Sequence, residues 1–91
     1  MNPGKFHLAQ NYPNPFNPRT SIRFDVGIAG RVTINVFNAL GQVVKTLVDD
    51  IRHAGRHEVS FDAASLPSGV YVYVLTSASG FRGARKMILV K

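Results

Sequence analysis

His53 and His57 stand four residues apart, the spacing that would present two imidazoles to one metal ion on a helix. The residues around them lack helical periodicity. The pair is read as a loop and a strand start, with His57 in a structural role. Asp49 and Asp50 offer neighbouring carboxylates, but no further oxygen ligands follow at the spacing of a cation loop, and a solvated turn is expected. Ser68, with His57 and Asp62 upstream, raises the possibility of a hydrolytic triad. A nucleophilic serine of that kind sits on a strained strand-to-helix elbow, and no helical pattern follows Ser68. No catalytic residue, metal ligand or cofactor-binding residue is therefore expected.

The remaining chemistry is charge. The chain carries a formal net charge of +6, and its densest basic group is Arg82, Arg85, Lys86 and Lys91. Net charge bears on association and not on fold. Neither a recognition helix nor a pattern of stacking aromatics accompanies the charge, so nucleic acid is not the expected partner. The four residues fall on the last expected strand, an edge. An edge exposes unpaired backbone groups, and its cations either blunt unwanted pairing or orient a docking protein. On the residues alone both roles stay open.

The elements that position these residues are strands. In a chain of 91 residues, 45% hydrophobic and without cysteine, one small domain with a real core and no disulfide is expected. No apolar run approaches membrane-spanning length, and residues 1–5 carry no export-signal pattern. Period-two alternation dominates. Thr20 to Val26 and Arg31 to Asn38 place Ile22, Phe24, Val32, Ile34 and Val36 inward. Asn38 to Gly41 supplies a turn into Gln42 to Val48, where imperfect alternation predicts a bulge or a strand covered on both faces. Asp49 to Ala54 reads as loop. Strands around Val59 and Phe61, over Val70 to Ser77 and over Phe81 to Lys91 complete the pattern, with a turn at Ser77 to Gly80. About seven short strands predict an all-β, immunoglobulin-like antiparallel β-sandwich. Leu66, Gly69 and Tyr71 fit a tyrosine corner, with the Tyr71 phenol bonded back to upstream backbone. The expected core also includes Val59, Phe61, Leu66, Tyr71, Tyr73 and Leu89.

Ahead of the first long strand lies QNYPNPFNP. Pro13, Pro15 and Pro18 restrict the backbone, Asn11, Asn14 and Asn17 can close turns, and Tyr12 and Phe16 offer rings to pack. An ordered, extended lead-in is expected. Tyr12, Phe16 and Phe37 are expected to pack together, leaving no ring platform for a polysaccharide.

Taken together, QNYPNPFNPRTSIRF, VFNALGQVVKTL, AGRHEVSFDAASLPSGVYVYVL and the terminal KMILVK resemble the type A C-terminal sorting domain of the type IX secretion system. The resemblance runs from Leu8 to Lys91, leaving residues 1–7 as a linker remnant. The related immunoglobulin-like domains of flagellar hook-capping proteins share the LPSGVY-like block. Two departures are visible: Phe61 stands where tryptophan is frequent, and Asp25-Val26-Gly27 lacks a common proline. The resemblance implies a non-catalytic monomeric tail on a longer cargo protein. It implies transit through the periplasm, recognition by the outer-membrane translocon without membrane insertion, and commonly removal by a surface sortase. The cargo then ends attached to the cell surface or secreted. The competing function is a structural or carbohydrate-binding accessory module of a secreted enzyme.

Overall fold

The alternating segments form seven strands in a computed structural model that describes residues 5–91. They are β1 (His7–Leu8), β2 (Arg19–Val26), β3 (Gly30–Phe37), β4 (Val43–Arg52), β5 (Gly55–Asp62), β6 (Gly69–Ser77) and β7 (Arg82–Leu89). All strand pairs are antiparallel, in a three-stranded sheet of order β1-β2-β5 and a four-stranded sheet of order β4-β3-β6-β7. This is the expected all-β sandwich. Alternate residues of each strand face the partner sheet, so Ile22 and Phe24 of β2 meet Ile34 of β3 and Tyr73 and Leu75 of β6 in one cluster. Fully burying side chains of this size contributes about 1.5–3 kcal/mol each. Two expected core members differ. Val59 and Leu66 are only half-buried against the cluster, because β5 is an edge strand and Leu66 lies on the loop after it.

The turn at Asn38 forms as its residues dictate. Asn38 Oδ1 accepts from the amides of Leu40 and Gln42 at 3.0 Å, and Gly41 takes φ 82°, a left-handed conformation that favours glycine. The bulge is also present, as register shifts between Ile34 and Asn35 and between Val36 and Phe37. One boundary is corrected. Asp49 to Arg52, expected as loop or turn, continues β4, because its carboxylates find cations on the solvent side. Arg31 reaches Asp49 at 2.8 Å and Arg52 reaches Asp50 at 2.7 Å.

The proline-rich lead-in crosses from one sheet to the other. Tyr12 exchanges two backbone hydrogen bonds of 3.0 Å with Ser21 on β2. Four residues later Phe16 donates its amide to the Ile88 carbonyl and accepts from the Val90 amide, both at 2.9 Å, beside β7. The Phe16 ring is buried, 6.0 Å from that of Phe61 between the sheets. The Tyr73 hydroxyl, inside the core, donates to Ala9 O and accepts from Asn11 N, each at 2.7 Å. Asn11 Nδ2 donates to Thr20 Oγ1 and Pro13 O, so this buried amide side chain is satisfied. Residues ahead of position 8 also pack: Phe6 stacks on Phe81 at 5.1 Å, and His7 pairs with Asp25. Of the expected linker remnant, residues 1–4 lie outside the described residues.

Candidate docking surfaces

The edge strand β7 was the sequence's main docking candidate, and much of its outer backbone is already occupied. Gln10 Nε2 donates to the Lys86 carbonyl at 2.6 Å, and the Ile88 amide donates to Asn14 Oδ1 at 2.9 Å. With the Phe16 bonds to Ile88 and Val90, the lead-in pairs the edge from Lys86 to Val90. A docking strand cannot add there without displacing PNPFNP, which corrects the expectation of main-chain pairing along this stretch. Within the motif Pro13 to Pro18, Asn14 and Phe16 thus cover the edge, while Pro13 O and Pro18 O accept from Thr20 Oγ1 and the Ala63 amide.

The four basic residues do not form one patch. Arg82 and Lys86 lie opposite Thr76 and Val72 in register and share the outer face of the four-stranded sheet. Arg85 lies on the alternate side, and its Nε donates to Leu8 O at 3.0 Å, closing the gap between the β1 and β7 edges. Lys91 turns to the loop after β5, where its Nζ donates to Ala64 O and its amide to Ser68 Oγ. Arg82 and Lys86 are the two of the four whose side chains make no bond within the described residues.

The tyrosine corner forms as expected. Tyr71 Oη donates to Pro67 O at 2.6 Å, and Gly69 opens β6 between them. This bond fixes the loop that carries Leu66 and Ser68. The triad residues are each engaged elsewhere. His57 Nε2 is 2.8 Å from His53 O and its ring stacks on Phe24 at 5.3 Å. Asp62 accepts from the Ala64 amide at 3.0 Å and from Arg19 Nε at 3.2 Å, two bonds that hold its carboxyl below the usual carboxylate range. Ser68 accepts from Lys91, and His57 and Asp62 are five positions apart on one strand, about 16 Å. Among the described residues no group of three or more His, Asp or Glu side chains converges as a metal site.

The expected ring cluster is absent. Phe16 is in the core, Phe37 is half-buried on the four-stranded sheet, and Tyr12 is 81% exposed on the other sheet. Tyr12 points outward because it bridges Ser21, whose neighbours Thr20 and Ile22 take the inward positions. Sequence reading also missed an apolar band on the outer face of the four-stranded sheet. Val43 lies opposite Phe37, Phe37 opposite Val72, and Val70 opposite Ile88, so the band crosses all four strands. Val43 is 54%, Val70 46% and Ile88 39% exposed. A signal for it was present. GVYVYVL is a continuous apolar run, the pattern of a strand covered on both faces, whereas a half-solvated strand alternates.

Fold and surfaces together define an immunoglobulin-like β-sandwich whose surface offers faces for recognition and, among the described residues, no assembled reacting group. Residues 10–91 match the family described as secretion system C-terminal sorting domain, and the chain belongs to that family. It is a C-terminal sorting signal of type IX secretion, a domain type that is not itself catalytic and that directs export to the cell surface or beyond. Among solved structures it is similar to dimeric latent PorU from Porphyromonas gingivalis, with a TM-score of 0.73 at 20% identity. That likeness covers 94% of this chain and 9% of the PorU chain, so the shared part is a small fraction of that protein. A β-glucosidase from Listeria innocua in complex with glucose aligns over 96% of this chain and 16% of that one, at 10% identity and a TM-score of 0.42. Comparison with curated proteins gives no match.

Proposed function

We propose that this domain is a monomeric, non-enzymatic tail that carries a covalently linked upstream protein through the periplasm to the outer-membrane translocon of a type IX system. There the folded domain is recognised, and a surface sortase removes it while the cargo is attached to the surface or released. The folded unit includes Phe6 and His7, and the residues ahead of them are the junction to the cargo. Arg82, Arg85, Lys86 and Lys91 supply positive charge for docking, and Lys86 is the residue that contacts the partner. The observation that carries this reading is the family match over residues 10–91, in which both the lead-in and the last strand fall.

The test is a reporter with its own inner-membrane signal, fused ahead of this domain in a type IX-competent bacterium. It should reach the surface or medium with the domain removed, and remain periplasmic in a strain lacking the translocon. Equal export from both strains would sink the proposal.

A further inference from the structure

The band across the four-stranded sheet is contiguous, apolar and unpartnered within the described residues. Val43, Phe37, Val72, Val70 and Ile88 form it, with Lys86 beside Val72. Scattered apolar side chains on a surface need no explanation, but a band spanning every strand of a sheet marks an interaction site.

Three observations narrow its occupant. First, charge on this part of the face is of one sign. The nearest register pair that holds an acid on the same face is Thr33 with Asp49, and that carboxylate is bonded to Arg31 at 2.8 Å. Lys86 is left without an acid among the described ion pairs. A complementary surface is therefore apolar and carries at least one carboxylate. Second, the band lies away from where the chain enters the fold. Phe6 packs on Phe81 beside the β6–β7 turn, whereas Val70 and Ile88 belong to the opposite end of that strand pair. The first described residues therefore lie at the far end of the sandwich from Val70 and Ile88. Third, the cover cannot be another strand added to β7 near Ile88, because the lead-in holds that edge. The occupant must sit face-on.

We infer that this band is the docking face for an export component, a folded protein presenting an apolar surface with a carboxylate placed to meet Lys86. The inference rests on the export role proposed above. Valine and isoleucine side chains give the contact area, and Lys86 fixes its orientation.

The test uses the reporter fusion with Val70→Thr and Ile88→Thr together, changes that retain β-branching at exposed strand positions. A parallel variant, Ser21→Lys, alters the outer face of the other sheet. A photo-crosslinking residue at position 72 or 21 identifies the contact. The expected result is a melting temperature close to the parent's and export reduced about tenfold or more, the scale of truncating a hot spot. Crosslinks from position 72 to an export component should be lost in the double variant, and Ser21→Lys should export normally. Export of the double variant at the parental level would overturn the docking face while leaving the sorting role intact. If the unsubstituted fusion stays in the periplasm, the sorting role fails and the docking face with it. Two further outcomes would also overturn the inference: dimerisation of the isolated chain abolished by the double substitution, or sedimentation with phosphatidylethanolamine–phosphatidylglycerol vesicles through this face.

Discussion

The two outer faces of the sandwich treat charge in opposite ways. On the three-stranded sheet, cations and anions oppose each other in register: Arg19 with Asp62, Arg23 with Glu58, and Asp25 with Arg56. On the four-stranded sheet the band from Val43 to Ile88 carries Lys86 with no acid opposite. Cross-strand pairing neutralises the first face and leaves it content in water. The second face keeps an unbalanced charge within apolar surface, an arrangement more useful against a partner than against solvent. Net charge of +6 therefore understates how local the informative charge is.

The harshest way to break the comparison is to remove the part on which both faces depend. Phe16→Ala empties a buried site between the sheets and should cost about 3–5 kcal/mol. Thermal melting would show it, and export should fall because neither face is held in place. A change in stability below about 1 kcal/mol would mean that the lead-in is dispensable.

Tyr73→Phe is the next largest perturbation. It strands Ala9 O and Asn11 N in a buried place, at about 1–3 kcal/mol. The same hydroxyl gives an alkaline signature. Burial pushes its pKa from 10.0 up to about 12, so the folded state holds a proton that the unfolded chain releases. That stability is present below pH 10 and drains away as pH rises toward 12. Denaturant midpoints measured across this range should fall in the parent and fall less in Tyr73→Phe.

A sharper comparison reverses one charge on each face. Arg23→Glu sets like charges opposite Glu58 and should cost about 0.2–1 kcal/mol while sparing export. Lys86→Glu should leave stability within about 0.5 kcal/mol and reduce export, provided the four-stranded face docks. The same exchange at Arg85 is a poorer probe, because it removes the hydrogen bond to Leu8 O as well as the charge. The smallest effect is expected for Asp62→Asn. The folded state depresses this carboxyl, so its contribution exists above the ordinary carboxylate range and disappears as pH falls through the depressed value. A slight drop in melting temperature at neutral pH should shrink on acidification.

Much of this architecture could be read from residue order. Alternation located Ile22, Phe24, Val32, Ile34 and Val36 in the core, and Asn38 with Gly41 located a turn, because each signal is local. The extension of β4 escaped because Asp49 and Asp50 read as polar loop until Arg31 and Arg52 are known to stand beside them. Tyr12 escaped for a related reason: its outward direction is set by pairing with Ser21, and an aromatic in a proline-rich run gives no hint of register. The cover over β7 was least legible. Gln10 meets Lys86 and Asn14 meets Ile88 across 76 and 74 positions, and no local pattern encodes such a contact.

That long-range closure bears on when the signal becomes readable during synthesis. Asn14 and Phe16 are made early, and their partners at Ile88 and Val90 emerge only with the final residues of the domain. Closing contacts so distant in sequence costs chain entropy, and folds rich in them form slowly. A ribosome that stalls before Ile88 leaves PNPFNP without its bonds to Ile88 and Val90, and β6 without its last two partners on β7, Ile88 and Leu89. Such a product is incomplete as an address label, however intact its upstream part. The lead-in is thus fastened to β7 only once the last residues of the domain are present.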